Sequence, residues 1–428
     1  MKVLILAYDF PPYQSIASQR PYSWLNYFGK STELTTVVTL HWDNKIENDK
    51  DYIIPSFQKE EKVEKTKHGQ IIRAPFYPNH RDKFLFKYGF NKHSFFRKTL
   101  TFFYLFAKNG FFALDNTRGI FFSALGELQK TDYDVIVATG EPFILFKYAS
   151  ILSKRFDIPW VGDYRDPWTT SLSLNNADLL TRLTNKYYFR RLELKYLKSA
   201  SLITTAAPAY KQNLEQIHTD KNIQVVLNGS DIRDSQSLEK ILTNQECFEI
   251  TYAGRFYGHQ RLETFLKGYK KFLEIDEQHK NSRVVFYGLN FYHGDVVRLR
   301  SFNGLLNDHF ITTDRIPYQE LLKKLRGTHV LLLLSSKGAN WLNAKIFDYL
   351  AVKRPILLVD KDYGVLEDII NNTNSGDSFE NEDDVADYLS SMYEKFASNW
   401  NFEVKSTRTE EYTREFQSQK MLKLLKSL

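Results

Sequence analysis

Val330-Leu331-Leu332-Leu333-Leu334-Ser335-Ser336-Lys337-Gly338-Ala339-Asn340-Trp341-Leu342-Asn343-Ala344-Lys345-Ile346-Phe347-Asp348-Tyr349-Leu350-Ala351 is followed by Arg354-Pro355 and then by Ile356-Leu357-Leu358-Val359. An apolar run with no polar alternation reads as a strand buried on both faces, as in a parallel sheet covered by helices. Ala344 to Ala351 reads as a short helix, which Arg354-Pro355 stops. Strand, loop, helix, strand is the repeating unit of an α/β fold with right-handed crossovers. Asn343 is placed to cap the helix, so the helix N-terminus and Lys345 would both meet an anion. Asp348 lies one turn along the same face, within reach of a vicinal hydroxyl pair such as that of a ribose. The competing reading is a short amphipathic helix with one exposed Lys and one exposed Asp.

The same alternation runs through the chain. Val3–Ala7, Thr36–Leu40, Val135–Ala138, Trp160–Val161 and Leu202–Thr204 read as strands in the first half. Ile250–Ala253, Val284–Tyr287, Val330–Leu334 and Ile356–Val359 do so in the second. The pattern restarts after the polar stretch Ile232–Glu246. The expected division is therefore a domain over 1–235, a second over 246–395 and a helical tail over 396–428 that packs back on the first.

Composition narrows the function classes. The chain has 428 residues, 43% of them hydrophobic and 15% aromatic, with a formal charge of +7. That excess is small for a dedicated nucleic-acid binder, and no such module signature is present. With one cysteine, Cys247, no intramolecular disulfide forms, which fits a reducing compartment. No apolar run reaches the ~18 residues of a membrane span. The expected location is cytoplasmic, with contact at the inner membrane face.

Two further strand–loop–helix junctions carry candidate chemistry. Tyr8-Asp9-Phe10-Pro11-Pro12-Tyr13-Gln14-Ser15-Ile16-Ala17-Ser18-Gln19-Arg20 follows the first strand, with a helical run expected from Tyr22. Such loops lie outside the carboxyl ends of strands, where open α/β sheets bind ligands, and Arg20 is placed to meet an anion there. In the second, Gly254 allows backbone to approach a ligand, and Arg255 with Arg261 suits a bidentate grip on a diphosphate. Asp132-Tyr133-Asp134 and Asp360-Lys361-Asp362 have the D-x-D form of metal-dependent sugar transferases, but read as surface turns. Lys83–Phe112 carries six cations and no acidic residue, with Phe95, Phe96, Leu100, Phe103 and Phe106 at helical spacing. It is equally a core-facing helix or one that lies on an anionic membrane.

Together these residues resemble a retaining, nucleotide-sugar-dependent glycosyltransferase of family 4, over nearly the whole chain. The resemblance rests on Tyr8-Asp9-Phe10-Pro11-Pro12, Thr139-Gly140-Glu141-Pro142 and Ile158-Pro159-Trp160-Val161-Gly162-Asp163-Tyr164-Arg165-Asp166-Pro167-Trp168. It continues through Asn228-Gly229-Ser230-Asp231, Gly254-Arg255 with Arg261, and Lys345–Ala351. It implies the GT-B fold, two Rossmann-like α/β domains facing each other across a cleft. Arg255, Arg261 and Lys345 would stabilise the leaving diphosphate as the catalytic set. Gly254, Asn340, Trp341, Leu342 and Asp348 would bind the donor, with Asp348 at the ribose and Asn340 where the family has a Glu. Pro12, Ser15, Ile16, Arg20, Arg165, Asp166 and Trp168 would bind the acceptor.

The resemblance implies no metal and no cofactor, the nucleotide-sugar being a substrate. The acceptor would be a saccharide or lipid-linked saccharide in surface polysaccharide biosynthesis, reached by membrane contact through Lys83–Phe112. A nucleotide-sugar 2-epimerase shares the fold and would need no acceptor. A non-catalytic homologue would bind nucleotide without turnover. A nucleic-acid binder using Lys83–Phe112 would show steep salt dependence.

Overall fold

The computed structural model describes residues 1–13, 15–43, 53–90, 92–171, 177–231, 241, 243–302, 307–338 and 341–428. The chain divides into two units, Met1–Leu227 with Gln417–Leu428 and Asn228–Phe416. Much of the polar stretch expected to link domains, 232–240 and 242, lies outside the described residues.

The first unit carries β1 (Lys2–Leu6), β2 (Leu34–Leu40), β3 (Lys62–Thr66), β4 (Gly69–Ala74), β5 (Val135–Gly140), β6 (Trp160–Tyr164), β7 (Leu202–Thr205) and β8 (Ile223–Val225). They form one sheet in the order β3-β4-β2-β1-β5-β6-β7-β8. Pairing is parallel apart from the β3–β4 edge hairpin. Alternate residues of β1 explain its uninterrupted apolar run. Val3 and Ile5 enter a core with Trp24, Leu25 and Val161, whereas Leu4 and Leu6 enter another with Ile120, Leu145 and Trp160. Burying such a side chain contributes about 1.5–3 kcal/mol.

The second unit carries β9 (Phe248–Ala253), β10 (Ser282–Tyr287), β11 (Phe310–Thr312), β12 (Val330–Leu334), β13 (Ile356–Val359) and β14 (Gly376–Phe379). Its sheet is parallel throughout, in the order β11-β10-β9-β12-β13-β14. The strands expected from sequence are all present. The additional ones, β3, β4, β8, β11 and β14, are short, polar or at an edge, where no apolar run marks them.

Three local expectations change. The first helix is Ile16–Phe28, starting six residues before Tyr22, because Ser15 and Ser18 cap it reciprocally. Of the tail, only 417–428 joins the first unit, where Met421, Leu422 and Leu425 pack with Val3, Ile5 and Leu25. Phe402 stays in the second unit's core beside Phe248 and His329. The second D-x-D is no solvated turn: Asp362 is buried and accepts the backbone N–H groups of Gly364, Leu366 and Glu367, starting the helix Val365–Thr373. Among the described residues no helix is long and apolar enough to cross a membrane.

Candidate active site

In the second sheet the chain runs outward from β9 to β10 and β11, then returns to the other side of β9 as β12. Strand order reverses between β9 and β12, and open α/β sheets bind ligands outside the carboxyl ends at such a point. The loops that begin at Gly254 and Ser335 both leave from there.

Buried hydrogen bonds fix both loops. Gln260 is almost fully buried: its Oε1 accepts the Tyr257 N–H at 2.9 Å, and its Nε2 donates to the Leu334 carbonyl at 2.8 Å. The Asp295 carboxylate accepts the Phe256 N–H at 2.9 Å, and the Arg261 N–H donates to the Ser335 carbonyl at 3.0 Å. The helix Lys345–Val352 is tied to both strands by Tyr349, whose hydroxyl accepts from Ala253 N–H and donates to the Leu332 carbonyl.

This frame brings Gly254, Arg255, Lys345 and Trp341 together. Lys345 Nζ donates to Tyr252 Oη at 2.5 Å and to the Arg255 carbonyl at 3.2 Å, and lies 3.8 Å from the Tyr252 ring centroid. Gly254 has φ +86°, and a Cβ there would stand 3.3 Å from Lys345 Cε. The missing side chain leaves the lysine its place. Burial pushes the Lys345 ammonium well below the usual lysine range, with Arg255 adding to the effect and Asp295 opposing it. A bound anion would offset that penalty. Arg255 is exposed and lies 5.2 Å from each of the Tyr257 and Tyr292 rings. Trp341 stands edge-on to Tyr257 at 4.3 Å and lies 4.6 Å from His259.

The other expected donor residues are placed differently. Arg261 is 72% exposed, 3.9 Å from a carboxylate oxygen of Asp360, whose own proton affinity is raised by burial. Asp348 Oδ1 accepts the Tyr318 hydroxyl at 2.7 Å. Leu342 is half-buried, and Asn340 lies outside the described residues. Asn343 makes the capping contact: its side-chain oxygen accepts the Lys345 N–H at 3.2 Å, with Ala344 between them in helical conformation.

Order in the first sheet reverses between β1 and β5. The loop after β1 is held by Trp42, which donates to the Tyr8 carbonyl at 2.9 Å and stacks on Tyr13 at 4.4 Å, and by Arg73, which donates to the Pro11 carbonyl. Arg165 donates to Asp9 at 3.0 Å and to the exposed Asp166 at 3.1 Å. Burial pushes the Asp9 carboxyl up, against the opposing pull of Arg165. Pro12 is half-buried in this loop, and Ser15 and Ile16 open the helix.

Arg20 and Trp168, also expected to bind the acceptor, make contacts within the first unit. Arg20 is 3% exposed: it donates twice to Asp163, at 2.6 and 2.9 Å, and to the carbonyls of Val226 and Leu227. Thr139 and Thr204 also donate to Asp163, so the anion that Arg20 meets is internal. Trp168 is half-buried, stacking on Phe143 at 4.9 Å and against Tyr196 at the edge of the first unit's core. Tyr252, Tyr257, Asp9 and Asp295 were missed as site-forming residues. For Tyr252, Tyr257 and Asp9 the signal is position alone, at or just beyond the carboxyl end of a strand, whereas Asp295 lies in the first turn of the helix His293–Arg300 and carries none.

No protein-family model and no curated protein matches the sequence. Solved structures do. An apo structure of OtsA matches with TM-score 0.63 at 14% identity, over 100% of both chains. Sucrose-phosphate synthase from Thermosynechococcus elongatus matches with TM-score 0.59 at 13% identity, over 100% of this chain and 98% of that one. The fold is GT-B. Anabaena HepE, in complex with UDP-glucose, shares it with TM-score 0.57 at 12% identity, over 100% of both chains. At such identities the likeness is one of GT-B architecture, and the side chains above carry the chemical argument.

Proposed function

We propose that the chain is a glycosyltransferase that moves a sugar from a nucleotide-sugar donor to a saccharide or lipid-linked saccharide acceptor. Transfer is retaining and metal-independent, as in the family 4 enzymes the sequence resembles, and serves surface polysaccharide biosynthesis on the cytoplasmic side of a membrane. The reading is carried by the grouping of Gly254, Arg255 and Lys345 at the carboxyl ends of β9 and β12. The UDP-glucose bound by HepE, a protein of the same fold, is consistent with it.

In this reading the bond from the sugar anomeric carbon to the diphosphate oxygen breaks, and negative charge grows on the leaving phosphate. Lys345 and Arg255 stabilise that charge, and Arg261 reaches the same phosphates by leaving its long contact with Asp360. The acceptor hydroxyl attacks from the same face, and its proton passes to the departing phosphate. Asp9, Arg165 and Asp166 form the polar group of the first unit that would bind acceptor hydroxyls.

The test is nucleotide release from a panel of UDP-, GDP- and TDP-sugars with saccharide acceptors. Lys345→Ala and Arg255→Ala each lower turnover on the order of 10²-fold. Near-wild-type turnover of both variants with every accepted donor would sink the assignment.

A further inference from the structure

We propose that the outward face of the helix Ser94–Gly110, with the helical segment 179–197 beside it, docks on an anionic lipid bilayer. The lipid-linked acceptor gives this docking its use, and to that extent it rests on the transferase reading.

The helix Ser94–Gly110 is turned opposite to a core-facing one. Its inner face is held by polar contacts: Tyr104 Oη lies 2.8 Å from His80 Nδ1, and Arg81 Nε donates to Thr101 Oγ1 at 3.1 Å. Its outer face carries Phe95, 83% exposed, together with exposed Phe96, Phe102 and Phe103. Monomeric proteins leave contiguous aromatic faces in water where something covers them.

A second segment, missed in the sequence, widens this face. Tyr188 packs on Phe106 at 4.5 Å and Tyr196 donates to Asn109 at 3.2 Å, which sets 179–197 against the helix. There Leu179, Leu180, Leu183 and Tyr187 are exposed, with Arg182 and Lys186 exposed among them. The acidic residue of this segment, Glu193, is buried and takes hydrogen bonds from Tyr164 and Thr169.

Charge selects the occupant. Lys92, Lys98, Arg182 and Lys186 are exposed around the rings, 83–112 carries no carboxylate, and Asp82 just before it is buried. Exposed Asp178, at the edge of the second segment, accepts the N–H and hydroxyl of Thr181 as the cap of its helix. A second copy would set cations against cations. Anionic headgroups match the cations while the rings enter the acyl boundary. The structure also ranks the cations: Arg97 is half-buried with its Nε enclosed, whereas Lys92 and Lys98 are exposed.

Co-sedimentation of the full chain with phosphatidylglycerol vesicles and with phosphatidylcholine vesicles tests the proposal. Binding to the anionic vesicles is expected, at least tenfold weaker for Phe95→Ser/Phe102→Ser/Phe103→Ser. Lys98→Gln and Lys186→Gln each weaken it about fivefold, and Ile275→Ser, an exposed apolar change in the other unit, leaves it unchanged. Circular dichroism establishes that each variant is folded. Equal binding to both vesicle types, no binding, indifference to these changes, or a dimer in light scattering that the serine variants dissolve would overturn docking. Nucleotide binding by the same samples is read separately, so its loss would overturn the donor site and leave docking standing.

Discussion

Replacing Gly254 by Ala isolates the contact on which the donor site turns. At φ +86° an L side chain costs about 1–2 kcal/mol. The added Cβ would stand 3.3 Å from Lys345 Cε and 3.7 Å from Nζ, so the flexible end of the lysine gives by a few tenths of an ångström. That movement loosens the 2.5 Å bond to Tyr252 and moves the ammonium from the place an incoming phosphate would share. A hydrogen bond to a charged group contributes about 1.5–3 kcal/mol, and losing half of it weakens nucleotide affinity three- to tenfold, in round numbers. Urea unfolding reads the backbone cost, and calorimetry with UDP, GDP and TDP reads the affinity of whichever nucleotide the wild type binds. Because the effect passes through Lys345, Gly254→Ala should weaken binding little further in a Lys345→Met background. Fully additive losses, or wild-type affinity for Gly254→Ala alone, would refute the coupling.

The internal role of Arg20 predicts that Arg20→Ala leaves Asp163 buried without its cation and destabilises the first unit by about 3–5 kcal/mol. Denaturant unfolding checks this, and an unchanged midpoint with a raised acceptor KM would restore Arg20 to the acceptor site. His329 Nδ1 accepts the Glu249 N–H at 2.9 Å, and burial pushes its pKa down to about 4. The folded value lies below the unfolded one near 6.5, so its stability is present above that pH and lost as pH falls from about 6.5 through 4. The full loss is about 3 kcal/mol. His329→Gln should flatten this acid limb in pH-dependent unfolding, and an unchanged limb would show that other groups carry it.

Apolar strands were legible wherever both faces of the sheet are covered, because such a strand needs no polar residue. The hairpin β3–β4 and the edge strand β14 were not, since Lys62–Thr66 and Gly376–Phe379 mix polar and apolar residues without a buried pattern. The first helix was placed late because Ser18 takes the role that Glu or Gln usually has in a capping box. Gly254 and Arg255 were legible as candidates because they open a strand-to-helix loop, and Lys345 because it opens the helix that follows another.

The sequence by itself determined a parallel α/β chain in two halves and the loops able to carry chemistry, since periodicity and loop position are local properties. Tertiary structure alone decided which charges are available to a ligand. Arg20 is taken by Asp163, 143 residues away, while Lys345 meets Tyr252, 93 residues away. The same holds for the phenylalanines of Ser94–Gly110. Their spacing fits a core or a lipid surface equally, and only the polar ties of Tyr104 and Thr101 decide which side of the helix faces inward. Partners so distant in sequence are brought together by the fold, and burial then decides whether a charge is spent internally or left to bind.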